Sequence, residues 1–253
     1  MAEKMTVQDR IAHFLRVSED AGATQQERDT AGREAERLLA KHAIDRLTLD
    51  VHGQRRAQRE VIERRTLLVP GGRGTIALDL TVGLIAAAGA LGLVAHYRDR
   101  RVLLRGRDAP DAVPGVELVL TGFAQDLDLA VPLIESLQVQ ATVGMWAWWR
   151  AEPMHRRIPR YDALLARCDF ARSFGLGAAE RLRVVRDRAV ETTGSALVVA
   201  SREAAVREWV AANVTARSVT DRRSFSGYGR GQGWSAGLRS TGSAQRALGV
   251  LGP

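Results

Sequence analysis

The residues best suited to chemistry lie near the C-terminus. Between Arg222 and Arg239, the arginines Arg222, Arg223, Arg230 and Arg239 alternate with Phe225, Tyr228 and Trp234 and with closely spaced glycines. Guanidinium groups neutralise phosphates and release counterions, and aromatic faces stack on bases without needing a sequence. Glycines let a backbone approach its partner closely. This pattern makes Arg222, Arg223, Arg230 and Arg239 the expected phosphate contacts, with Tyr228 and Trp234 as stacking residues. The same composition also suits a Gly/Ser-rich tail, or a small-residue helix packing through Gly227, Gly231, Ala236 and Leu238.

A second aromatic group, Trp146, Trp148 and Trp149, precedes Arg150. On a helix these three point in different directions. Trp148 is therefore expected in the core, with another indole left to meet a base or a protein partner.

Signals for catalysis are weaker. The turn Gly71-Gly72-Arg73-Gly74-Thr75 lies where phosphate-binding loops lie, but it lacks the lysine of a P-loop and the third spaced glycine of a dinucleotide fingerprint. A plain strand-to-helix turn accounts for it. Asp126 and Asp128 fall on different faces of a helix and suit a helix start, where carboxylates complement the dipole. His13, His42, His52, His96 and His155 show no metal-ligand spacing. Cys168, the only cysteine, sits on an apolar helix face as a buried thiol. No metal and no cofactor are expected. An enzyme would need a pocket joining Asp126, Glu135 or His96 to the Gly71–Thr75 turn.

Charge is localised. Residues 1–60 carry 11 cations and 11 anions, residues 61–150 carry 9 and 9, and residues 151–253 carry 17 and 9. The whole net charge of +8 thus comes from the last segment, and it is nearly all arginine, since Lys4 and Lys41 are the only lysines. Localised positive charge points to a polyanionic partner, although a GC-rich genome also raises the arginine count. One cysteine rules out an intramolecular disulfide. The charged, polar first residues do not resemble a secretory leader, so a cytoplasmic location is expected. The apolar run Leu80 to Ala95 is interrupted by glycines and is too short for a membrane span; it reads as a buried helix entering a strand.

Helices and strands must position these groups. Val7, Ile11, Phe14 and Leu15 form one helical stripe, broken at Gly22. Thr24 and Glu27 form a capping box for a second helix that buries Ala31, Ala35, Leu38 and Leu39. Strands are expected at Val61–Val69, Leu93–Tyr97, Val102–Arg105, Val116–Thr121 and Ala196–Ala200, and helices at Thr75–Leu91 and Arg202–Asn213. Two long helices bury Leu127, Ala130, Ile134, Leu137, Ala141, Met145 and Trp148, and Leu164, Cys168, Ala171, Ala178, Leu182, Val185 and Ala189; Gly175 and Gly177 are a possible kink in the second. The expected architecture is α+β: an N-terminal helical hairpin (1–50), then a small mixed sheet with long helices packed on it (61–215), then a basic Gly/Ser/Arg-rich tail (216–253).

The pieces Arg10-Ile11, Ala31, Ala35-Glu36-Arg37-Leu38-Leu39 and Lys41-His42-Ala43-Ile44 resemble the domain-of-unknown-function 2786 family of high-GC bacteria and phages. Val119-Leu120-Thr121-Gly122-Phe123 with Asp126, Arg172-Ser173-Phe174-Gly175, Ala196–Ala200 and Gly227-Tyr228 resemble its usual companion domain. The resemblance covers nearly the whole chain. It implies phage or mobile-element biology and transfers no catalytic residue. From the basic, aromatic C-terminal segment, the expected function is non-enzymatic association with nucleic acid, DNA ahead of RNA, with no membrane contact. The alternatives are a protein-interaction module or adaptor in a phage or host assembly, built on the hairpin or the Trp146–Trp149 group, and an enzyme with an unrecognised site.

Overall fold

The computed structural model describes residues 7–20, 22–24, 26–28, 30–35, 37–38, 61–70, 75–98, 115–151, 155, 157–194, 196–215 and 227–240. Helix α1 (Val7–Glu19) stops before Gly22, and the described residues between 26 and 38 are helical (α2). The capping box forms: the Glu27 N–H donates to Thr24 Oγ1 at 3.3 Å, and the Thr24 N–H donates to Glu27 Oε2 at 2.8 Å. The Thr24 hydroxyl also donates to Glu27 Oε2 at 2.7 Å, and this bond first, then the one from the Thr24 N–H, holds the Glu27 carboxyl below the usual carboxylate range. Ile11, Leu15, Ala35 and Leu38 then join the same apolar cluster as the rest of the chain.

Strand β1 (Ile62–Pro70) leads to α3 (Thr75–Ala90), β2 (Val94–Arg98), β3 (Gly115–Phe123) and α4 (Ala124–Ala151). The order in the sheet is β1-β3-β2, and both pairings are antiparallel, Leu67 facing Leu118 and His96 facing Val119. The α+β class holds; among the described strands the pairing is antiparallel throughout. The expected partner of β2, Val102–Arg105, lies outside the described residues, as does Gly71–Gly74.

Alternation along β3 buries both faces of the sheet. Leu118 and Leu120, with Leu67 and Val69 of β1, are buried on the side covered by α3 and α4, and Val119, Thr121 and Phe123 are buried on the other. Helix α3 is apolar nearly all round, as a helix enclosed between a sheet and another helix must be.

Helix α5 (Arg160–Thr193) is continuous through Gly175 and Gly177 and ends at Gly194, whose φ of 65° is the left-handed C-cap conformation. The glycines expected to kink it instead remove side chains where other helices cross. A Cβ on Gly175 would overlap the backbone of Gly83 in α3, and one on Gly83 would lie 2.7 Å from the Arg172 carbonyl oxygen. Helix α7 (Arg230–Arg239) lies along the opposite flank. Gly229, Gly233 and Gly237 meet the backbone of Ala166, Phe170 and Phe174, and Gly177 answers from α5, facing the backbone of Trp234 and Leu238. The small-residue helix therefore forms, but its packing face is Gly229-Gly233-Gly237, while Gly231 faces open space.

Helix α6 (Ala196–Asn213) begins where a strand was expected. The run Ala196–Ala200 continues without a breaker into Arg202–Asn213, and Leu197 is exposed rather than core. A short apolar run does not reveal its own period, and the unbroken helical context decides it. Val206 is the buried residue of α6. Polar contacts hold the rest: Arg202 donates to Asp126 at 2.9 Å and lies over the Phe123 ring at 3.9 Å, Arg186 of α5 pairs with Glu203, and Arg64 lies over Trp209 at 5.7 Å.

Two outcomes follow for stability. Gly233→Ala should cost about 1–3 kcal/mol by forcing two backbones apart, whereas Gly231→Ala should be neutral or stabilise by up to about 1 kcal/mol through helix propensity; paired denaturant titrations check the opposite signs. Arg202→Ala, which removes both the ion pair and the ring contact, should cost about 1–3 kcal/mol. Its loss of amide-exchange protection should concentrate in 196–213.

Candidate nucleic-acid interface

The helical period of α4 turns Ala141, Met145 and Trp148 inward and leaves Trp146 and Arg150 exposed, with Trp149 between them. Trp148 stacks on Phe170 of α5, with centroids 5.1 Å apart and planes 19° apart. It also meets the edges of His155 at 4.7 Å and, more obliquely, Tyr228 at 6.5 Å. Trp149 stacks on His155, 4.1 Å apart and 10° from parallel. His155 is buried, and its Nδ1 lies 2.9 Å from the Trp149 carbonyl oxygen. A carbonyl only accepts, so Nδ1 carries the proton and donates.

Arginines sit over the outer rings. The Arg167 guanidinium is 5.2 Å from the centroids of both Trp146 and Trp149, and Arg150 is 5.9 Å from Trp146. Cations within about 6 Å of an indole face are attracted by the ring quadrupole. Arg157 is exposed just before α5, and Arg160 and Tyr161 are exposed in its first turn, Arg160 on the same helical face as Arg167 and Tyr161 about 120° from it. Three parts of the chain thus place guanidinium and aromatic groups side by side: the end of α4, the start of α5, and the approach to α7.

The residues expected to bind nucleic acid are distributed unevenly. Tyr228 is brought to the tryptophan group, its ring 5.6 Å from His155. Arg230 is exposed in the first turn of α7, and Trp234 is exposed one turn further on. Arg239 is exposed at the far end of α7, about 13 Å along the axis from Arg230. Arg222 and Arg223 lie outside the described residues. The glycine face of α7 explains the display: with Gly229, Gly233 and Gly237 against α5, the side chains of Arg230, Trp234 and Arg239 are left outside.

His155 and Arg167 were missed in the sequence. The usable signal for Arg167 was its place one turn before Ala171 on the first half of α5, facing a tryptophan helix. His155 offered none, because no spacing marks a histidine as the middle of an aromatic stack.

Of the acidic residues weighed for catalysis, two are held in ion pairs. Asp126 pairs with Arg202 and Asp128 with Arg65 at 2.6 Å. The Arg65 guanidinium is held above its ordinary value by hydrogen bonds to Glu63 and Asp128. Glu135 is exposed on α4. Asp79 is buried 3.8 Å from Arg172. A groove of about 810 Å3 between α1 and α2, walled by His13, Phe14, Thr30 and Glu34 among others, includes neither Asp126 nor His96. Among the described residues no three His, Cys, Asp or Glu side chains are grouped to hold a metal ion, and no helix is long and apolar enough to cross a membrane. Cys168 is buried.

With this geometry in hand, comparison adds no relative: no family model, curated protein or solved structure matches the chain.

His96 generates a pH dependence. Burial first, then the charges of Arg98 and Arg64, lower its pKa from the ordinary 6.5. The unfolded chain therefore binds this proton more readily than the folded one. The stabilising preference for neutral His96 is present above about pH 6.5 and is lost as pH falls through that value toward the lowered folded one. Unfolding titrations across that window should show stability falling on acidification, and His96→Gln should flatten this part of the profile.

Proposed function

We propose that the protein associates with nucleic acid and acts by binding, through the face formed by the end of α4, the start of α5 and the outer side of α7. The observation that carries this reading is the docking of Tyr228 against Trp148 and His155. It joins the arginine-rich C-terminal segment to the tryptophan group, so two features far apart in the sequence contribute to one surface. Arg150, Arg160 and Arg230 supply exposed positive charge there, and Tyr228 and Trp234 supply exposed aromatic surface. Stacking surface beside phosphate-neutralising arginine suits an unpaired strand, whose bases are free to turn toward the protein. The pairing of Asp126 and Asp128 with arginines supports a binding role over hydrolysis. The resemblance read in the hairpin sequence would fit phage or mobile-element biology, and makes DNA the first partner to try.

Fluorescence anisotropy with labelled single- and double-stranded DNA and RNA over a salt series tests the proposal. The full chain should bind single strands with an affinity that falls steeply with salt. Replacing Arg222, Arg223, Arg230 and Arg239 with Gln should reduce the slope of log K against log salt by about 0.7 for each lost phosphate contact. Trp234→Ala should weaken binding by about 5- to 100-fold, the range for one lost base stack. An absence of binding at low salt, or a slope unchanged by the four substitutions, would overturn it.

A further inference from the structure

The solvent face of α4 departs from what an ordinary surface helix shows. Its buried side runs through Leu127, Ala130, Ile134, Leu137, Ala141 and Met145. Directly opposite stand Glu135, Val139, Thr142, Val143, Trp146 and Arg150, all exposed. Surface helices normally carry charge on that side. Here no charged residue occurs from Ser136 through Trp149, and Val143 is 62% and Val139 45% exposed. The two charges that bound the stretch are of opposite sign, Glu135 at one end and Arg150 at the other.

This order is self-complementary under a two-fold rotation. An axis passing between Thr142 and Val143 brings Glu135 of one helix opposite Arg150 of the other, Val139 opposite Trp146, and Thr142 opposite Val143. Each pair is equidistant from the axis along the helix, so the whole stretch matches itself antiparallel. A parallel alignment would set Glu135 against Glu135 and Arg150 against Arg150, and like charges across an interface are unfavourable. Closed dimers use one patch twice in this manner. Gly144 and Ala147, beside the stripe, leave room for the interaxial distance of about 8–10 Å that helix pairs adopt.

We infer that α4 is a homodimerisation helix, pairing antiparallel with α4 of a second copy through Val139, Val143 and Trp146, with Glu135 and Arg150 closing the ends. The inference goes beyond nucleic-acid association and stands without it. Trp146 and Arg150 belong to both surfaces, whereas Val139, Val143 and Glu135 belong to this one alone.

Sedimentation velocity of the full chain between about 1 and 200 µM tests it, the range in which an interface smaller than standard size self-associates. A monomer–dimer equilibrium is expected. Val143→Glu should weaken it at least about tenfold by burying an unpaired charge. Glu135→Arg and Arg150→Glu should each weaken it about threefold or more, and the double variant, which restores opposite charges across the axis, should recover most of the loss. These positions are exposed, so the fold should survive, as circular dichroism would verify. A monomer throughout the range, dimerisation indifferent to Val143→Glu, or a double variant no better than the single ones would each overturn the inference.

Discussion

A helix with the sequence of α7 holds its shape only where its backbone can lie directly on another helix. Gly231, Gly233 and Gly237 each cost about 1 kcal/mol of helix propensity relative to alanine, and an isolated helix of this length is marginal in water. The same glycines permit the contact that offsets the cost. With no Cβ at Gly229, Gly233 and Gly237, α7 settles onto the carbonyl side of α5, and Gly177 yields from below. On the other flank Gly83 and Gly175 let α3 and α5 touch backbone to backbone. Helix α5 is therefore buried nearly all round from Ala166 to Leu182, and sheet, α3, α5 and α7 stack in one succession. Close packing of this kind gathers many weak dispersion contacts at once and tolerates almost no added volume.

Arginine is the second organising element, and much of it is structural. Arg181 is buried and donates to the Gly237 carbonyl oxygen at 3.1 Å, placing a cation at the C-terminal end of α7, where the helix dipole favours it. Arg186 reaches from α5 both to Glu203 and to the Ala90 carbonyl at the end of α3. Arg202 closes α6 onto the start of α4, and Arg65 ties β1 to Asp128. Planar guanidinium groups serve several acceptors and rings at once, which a lysine ammonium does not. The positive charge of the last segment is thus divided. Part of it fastens helices together, and part, at Arg157, Arg160, Arg230 and Arg239, faces outward.

That division shows where sequence reading stops. The Thr24–Glu27 box, the end of α1 before Gly22, the inward stripe of α4 and the strand spans near 62–70 and 115–123 were legible, because each depends on residues within a few positions of one another. Ala196–Ala200 was misread because five apolar residues have no resolvable period. Gly175 and Gly177 were legible as unusual, but a glycine that bends a helix and a glycine that admits a neighbour are the same letter.

The sequence by itself determined the α+β class, most of the helices and strands, and the concentration of positive charge and aromatic side chains toward the C-terminal half. Tertiary structure alone decided that Tyr228 meets Trp148 and His155, that Arg167 spans two indoles, that α7 turns its glycines inward, and that Asp126 and Asp128 are bound to arginines. Local periodicity and capping are set by neighbours along the chain. Which arginine faces solvent and which aromatic faces another depend on which helix faces meet, and that follows from close packing across distant segments.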